Sequence, residues 1–186
     1  VSVYLLGRPY SERFNGELEL ALQDFMHAET VTLGPASKKD GYLELSSLDI
    51  VGGENSFFDK AYLRKARTRM KLYAGIVGNW QGEEVIIENL DIKVKAGSDE
   101  VDGAKIYESI FNIGSGFSFD RLEVLNASFN WGYSEVTAGS IQDSRLTARR
   151  REDGWSIILT GGTFSQNWLE GLEIERVEGM LTREGL

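Results

Sequence analysis

The sequence has no cysteine, one histidine, two prolines and no apolar run long enough to cross a bilayer. Without cysteine there is no disulfide framework, no thiolate nucleophile and no thiolate-bound zinc. A lone histidine, His27, excludes a two-histidine metal site within the chain and the HExxH metalloprotease motif. Positive charge is also short: 20 Lys and Arg stand against 29 Asp and Glu, a net charge of -9. Such a chain is repelled by phosphate backbones, so no nucleic-acid partner is expected. There is no Walker loop, no G-x-S-x-G elbow and no dinucleotide fingerprint. A spanning helix needs about 20 apolar residues. Val1–Leu6 (VSVYLL) is only a stub, read either as the tail of an upstream anchor or as a first strand. The start at Val1 rather than Met is read as a processed or excised product.

What remains is a chain of 186 residues, 41% hydrophobic and 26% charged, enough for one globular domain with a real core. Its 21 glycines punctuate short runs of alternating polarity, which predicts many strands and turns. Four segments share the order apolar-x-apolar-x-x-apolar-x-apolar. They are Leu43/Leu45/Leu48/Ile50, Val85/Ile87/Leu90/Ile92, Leu122/Val124/Ala127/Phe129 and Leu172/Ile174/Val177 with Gly179 in the last slot. Period-two alternation gives each half an apolar face. The doubled intervening step shifts the phase by one residue, which in a straight strand would turn the second half over. Burying both halves on one side requires a bulge or corner at that step, so each unit reads as strand, corner, strand. Between the third and fourth units, Leu146–Arg151 and Trp155–Phe164 read as a hairpin turning at Asp153-Gly154.

Helical spacing is rarer. Residues 17–27 place Leu18, Leu22, Phe25 and Met26 on one face, with Asn15 as the N-cap. A second amphipathic stretch, 103–113, lies within a predicted helical insertion over 98–116. Ala61–Val77 fits either a helix or a strand with one basic face, and propensity leans to helix.

Candidate chemistry is sparse. A calcium-like loop at Ser98–Ser109 has Ser109 where a bidentate Glu belongs. Gly114-Ser115-Gly116 reads as a hinge, and His27 as a helix C-terminal residue. Trp80, Trp131, Trp155 and Trp168 read as packing anchors rather than a sugar platform. Acids such as Glu44, Asp91 and Glu123 alternate with apolar residues, as the wet face of a strand requires. The basic clusters Arg64–Lys71 and Arg149–Arg151 read as a solvated strand face, or alternatively as contacts for anionic headgroups. No catalytic residue, metal or cofactor is expected.

Several segments together resemble the AsmA-like (AsmA/TamB-type) envelope proteins of Gram-negative bacteria. These are Gly7-Arg8-Pro9, the helix through Leu22, Val31–Leu33, the Leu43–Ile50 unit, Ala61–Leu72 and Val85–Gly97. Phe119–Trp131, Gly154–Phe164 and Leu169–Leu181 complete the likeness. The resemblance implies a mainly β domain with a few short helices, a curved antiparallel sheet shaped like a taco or groove and partly covered by an N-terminal helix. It makes Ala61–Leu72 a strand, and that reading is adopted against propensity. It implies a non-enzymatic periplasmic role in envelope biogenesis, with phospholipid as partner and an inner-membrane anchor not contained in this chain. The acyl chains would lie along Leu48, Ile50, Met70, Leu72, Ile86, Leu90, Ile92, Val94, Leu122, Val124, Phe129, Ile157, Leu159, Leu172 and Ile174. Headgroups would meet Arg67, Arg69 and Arg149. The alternative is a structural β-repeat module that packs against neighbours or partners without binding lipid.

Overall fold

The computed structural model describes residues 12–70, 80–95, 117–132 and 136–182. Within them one helix, α1 (Glu12–Met26), precedes twelve strands. These are β1 (Ala28–Leu33), β2 (Ala36–Lys39), β3 (Tyr42–Gly52), β4 (Phe58–Met70), β5 (Trp80–Val94) and β6 (Phe117–Ser118). They continue as β7 (Arg121–Trp131), β8 (Gly139–Arg150), β9 (Gly154–Thr160), β10 (Thr163–Gln166), β11 (Leu169–Glu173) and β12 (Arg176–Thr182). The strands build one open, curved sheet, so the expected mainly β groove-like architecture with an N-terminal helix is found.

The helix is longer than the spacing predicted. Glu12 sits in its first turn, where an acid complements the helix dipole, and Asn15 lies inside the helix rather than capping it. Leu18 and Leu22, one turn apart, are buried against the sheet. The helix ends at Met26, and His27 follows with φ 51°, the left-handed residue that commonly terminates helices. The backbone carbonyl of His27 then accepts hydrogen bonds from the Gly53 N–H (3.0 Å) and the Ser56 hydroxyl (2.7 Å), tying the helix end to the β3–β4 turn.

Ala61–Leu72 is strand as far as it is described, within β4, because β3 and β5 pair with both of its edges. Tertiary pairing overrides local helix propensity here. One expectation is corrected. The sheet is mixed rather than wholly antiparallel, since β5 and β7 run parallel from Glu84↔Arg121 to Val94↔Trp131. Parallel neighbours need a crossover of a dozen or more residues. The 98–116 insertion predicted from sequence falls in that crossover and lies outside the described residues, as do Val1–Leu6, Gly7-Arg8-Pro9 and Leu72.

The predicted corners are present, and they line up. Leu33↔Leu48 and Ala36↔Leu45 bracket Gly34-Pro35 against Ser46-Ser47. Arg64↔Asn89 and Ala66↔Ile87 bracket Lys65 against Glu88, and Val124↔Leu146 with Ala127↔Ser144 bracket a bulge at Leu125-Asn126. From β7 the line continues through Asp143 in β8, through Gly161-Gly162 between β9 and β10, and through Ile174-Glu175 between β11 and β12. A single crease therefore runs across the sheet, perpendicular to the strands. Lys65 (φ 51°), Asp143 (φ 57°), Gly161 (φ 70°) and Gly162 (φ 84°) adopt left-handed backbone along it. At Gly162 a Cβ would collide with the Gln142 carbonyl oxygen, so only glycine fits.

The Asp153-Gly154 turn forms as predicted: Arg150 pairs with Trp155, and the Arg151 N–H donates to the Gly154 carbonyl at 2.8 Å.

Candidate functional site

The crease keeps the apolar residues of both strand halves on one side, called the inner face because α1 packs there. Two rows of that face can be followed across the sheet. Above the crease run Leu45, Ala66, Ile87, Val124, Leu146, Leu159 and Val177, each registered with the next. Below it run Ile50, Ala61, Ile92, Phe129, Ile141, Phe164 and Leu172.

Burial falls along these rows. Ile50 is 2% and Val124 0% exposed, whereas Leu172 is 55% and Val177 52% exposed. Leu159 and Phe164 stand between, half-buried. The apolar surface is thus closed beneath the helix and exposed at Leu172 and Val177, while Ile174 and Leu181 near them are buried. Each Leu or Ile fully removed from water at the closed end contributes roughly 1.5–3 kcal/mol, while the open end forgoes that stabilisation.

Of the groove residues expected from sequence, Leu48, Ile50, Leu90, Val124 and Ile174 are buried. Ile92, Leu122, Phe129, Ile157 and Leu159 are half-buried and pack against the same core, and Leu172 is exposed. Val94 is half-buried near the end of β5. The Met70 side chain and Leu72 lie outside what is described. Ile86 is a correction. It registers with Arg67 and Glu123 on the outer face and lines a hollow of 290 Å³ with Glu44, Lys65, Arg67, Glu88 and Leu125. Period-two alternation begun at Val85 selects Ile87, so the signal for the right residue was present. Leu63, Ala66 and Leu146 belong to the same buried surface and are absent from the expected lining, and Ala127, an apolar position of the third repeat unit, joins them. Ala66 carries too little apolar bulk to stand out, and Leu63 and Ala66 sit in the segment whose period is ambiguous.

The basic candidates share one end of the sheet but lie on its outer face. Arg67 and Arg69 stand 5.8 and 5.0 Å from the Tyr42 ring centroid, and Arg149 registers with Arg121. Nearby, Glu123 is only 9% exposed and accepts hydrogen bonds from Arg145 and from Arg121, the latter at 3.0 Å. The Arg145 hydrogen bond, reinforced by both positive charges, holds the Glu123 carboxyl below the usual carboxylate range despite its burial.

Trp131 packs against Phe164 (6.1 Å between centroids) and Trp155 against Phe119 (5.2 Å), as packing anchors should. Trp168 differs: it is 87% exposed, in the turn before β11. Among the described residues there is no group of three or more His, Asp or Glu placed to hold a metal, and no helix is long and apolar enough to cross a membrane.

A scan of protein-family models finds no match to this chain, and neither the curated proteins nor the solved structures give one.

Proposed function

We propose that the chain is a non-enzymatic lipid-handling domain of the bacterial envelope, of the AsmA-like kind, acting in the periplasm between inner and outer membranes. The observation that carries this reading is the graded inner face: a continuous apolar surface, sealed under α1 and open at Leu172 and Val177. Acyl chains need such a surface and no reacting groups, because their transfer from water is driven by apolar area alone. The outer face, by contrast, is charged and paired, with Lys65–Glu88 and Arg121–Glu84 among its ion pairs.

The test is mass spectrometry of an organic extract from protein purified without detergent. The reading expects near-stoichiometric phospholipid. A lipid-free extract from well-folded protein overturns it.

A second reading is a β-repeat module that packs against neighbours and carries no lipid. It is favoured by Leu90, which is 7% exposed in the middle of the sheet and therefore belongs to a sealed core rather than an open channel. The two readings divide on the same extract. In the lipid-handling reading the acyl chain occupies the β9–β12 end, leaving the surface around Leu90 as its closed floor.

A further inference from the structure

The two edges of the sheet are built differently. At one edge, β1 and β2 carry Pro35 between them and Lys38 and Lys39 in the short β2, features that discourage further pairing. At the other edge, β11 pairs with β10 and β12 with β9, and neither has a second partner among the described residues. Four of the nine large hydrophobic residues exposed among the described residues lie on or beside this edge: Trp168, Leu172, Val177 and Met180.

We infer that this edge is the interface of a symmetric dimer, in which β11 and β12 of two copies of the chain pair antiparallel across a two-fold axis. The crease fixes the register. A neighbouring strand can follow the sheet only if its own corner falls at Ile174-Glu175, and a second copy meets that condition when Ile174 faces the partner's Glu175. A two-fold axis through the crease, perpendicular to the sheet, exchanges β11 with β12 and keeps both inner faces on the same side.

That register brings complementary residues together. On the inner face Leu172 meets the partner's Val177, the two residues that end the apolar rows more than half exposed. On the outer face Glu173 meets the partner's Arg176, which also pairs with Glu178 of its own strand. Their outer placement follows from the ladders: Glu173 registers with Thr163 and so with Gln142, which hydrogen-bonds Asn130 at 2.8 Å on that face. Arg176 registers with Thr160 and so with Arg145, the partner of Glu123. Every other acid of the edge avoids an acid: Glu170 faces the partner's Gly179, and Glu178 the partner's Gly171. Sliding by two residues in one direction sets Glu173 against Glu178, and in the other sets Glu173 against Ile174 and so parts it from Arg176. Symmetry makes each contact twice, the isologous arrangement of a two-fold dimer. Cross-strand pairs of this kind, opposite charges and apolar partners, stabilise sheet pairing, and like charges oppose it. The dimer does not depend on lipid.

The test uses the 186-residue chain in sedimentation velocity across a concentration series, with Glu173→Arg, Arg176→Glu and the double exchange beside the wild type. The expected result is a concentration-dependent dimer, weakened roughly tenfold by either reversal and restored to within about twofold by the exchange. Because the chain has no cysteine, the variant Leu172→Cys/Val177→Cys gives a second readout. Its two thiols are too far apart along one strand to bridge, so mild oxidation should yield a covalent dimer that neither single cysteine variant forms. A wild type that stays monomeric throughout overturns the inference. So does a dimer that neither responds to the charge reversals nor cross-links at these positions.

Discussion

Lys65 and Glu88 face each other on the crest of the crease, with Lys65 Nζ 2.8 Å from Glu88 Oε2. Both lie at the step where β4 and β5 change phase, between the pairs Arg64↔Asn89 and Ala66↔Ile87. Their side chains are largely solvated, so the ion pair itself contributes little. The backbone matters more. Lys65 has φ 51°, a region that costs an L-residue roughly 1–2 kcal/mol. Lys65→Gly should therefore leave stability unchanged or raise it by up to about 1 kcal/mol, while Lys65→Val should lower it by about 1–2 kcal/mol. Urea unfolding of the two variants checks this, and equal midpoints would show that the crease does not depend on that backbone conformation.

Gly162 is the sharper case on the same line. Any side chain there combines a left-handed φ of 84° with a Cβ driven into the Gln142 carbonyl oxygen. Gly162→Ala should cost about 2–4 kcal/mol, because backbone rather than a movable side chain must give way. Gly161, with φ 70° and nothing near its Cβ position, should lose only about 1 kcal/mol on the same change. Thermal unfolding of both variants separates steric from conformational cost, and the order of the two melting points decides it.

These positions also mark how far the amino-acid order alone reveals the structure. The corner in each strand is legible because a two-residue step between apolar pairs has one simple solution, a bend that keeps both halves on the core side. That the corners align into one crease is not legible, since alignment depends on the register between strands distant in sequence. The parallel β5–β7 pairing escapes for the same reason: it follows from where the chain returns after Lys95, and alternation is identical in parallel and antiparallel neighbours. The apolar site was partly legible. Leu48, Ile50 and Val124 follow from alternation, whereas Ile86 was misplaced because three apolar residues in a row, Val85 to Ile87, blur the phase. The exposed end at Leu172 and Val177 has no sequence signature, because exposure there depends on which strand is last in the sheet.

Glu123 should give stability a distinct acid limb. Its folded-state pKa lies below the unfolded value, chiefly through Arg145. The stabilisation is therefore present above the ordinary carboxylate pKa and is lost as pH falls through the lower folded value. Glu123→Gln removes that dependence. At neutral pH it should cost about 1–2 kcal/mol, a figure kept small because Arg145 is more than half exposed and stays hydrated when its partner is lost. Unfolding free energies of wild type and variant, followed from neutral to acid pH, should converge. Parallel curves would show that the ion cluster does not carry the pH response.

Leu90 and Leu172 separate folding from ligand handling on a single apolar face. Leu90 is 7% exposed within the core that includes Leu18 and Leu22, so Leu90→Ala should cost about 2–5 kcal/mol, and Leu90→Asp should prevent folding by burying an unpaired charge. Leu172 is 55% exposed, and the same changes there should move stability by less than about 1 kcal/mol. Under the lipid-handling reading, Leu172→Asp should nevertheless lower the phospholipid recovered from the folded protein, because a carboxylate at the open end of the rows repels acyl chains. Circular dichroism establishes that the variant is folded, and lipid extraction then reads the occupancy. Undiminished lipid in folded Leu172→Asp would place any acyl chain elsewhere than the β11–β12 end. Loss of lipid with the fold intact would tie the exposed end of the inner face to binding, which the buried Leu90 cannot do in any variant that still folds.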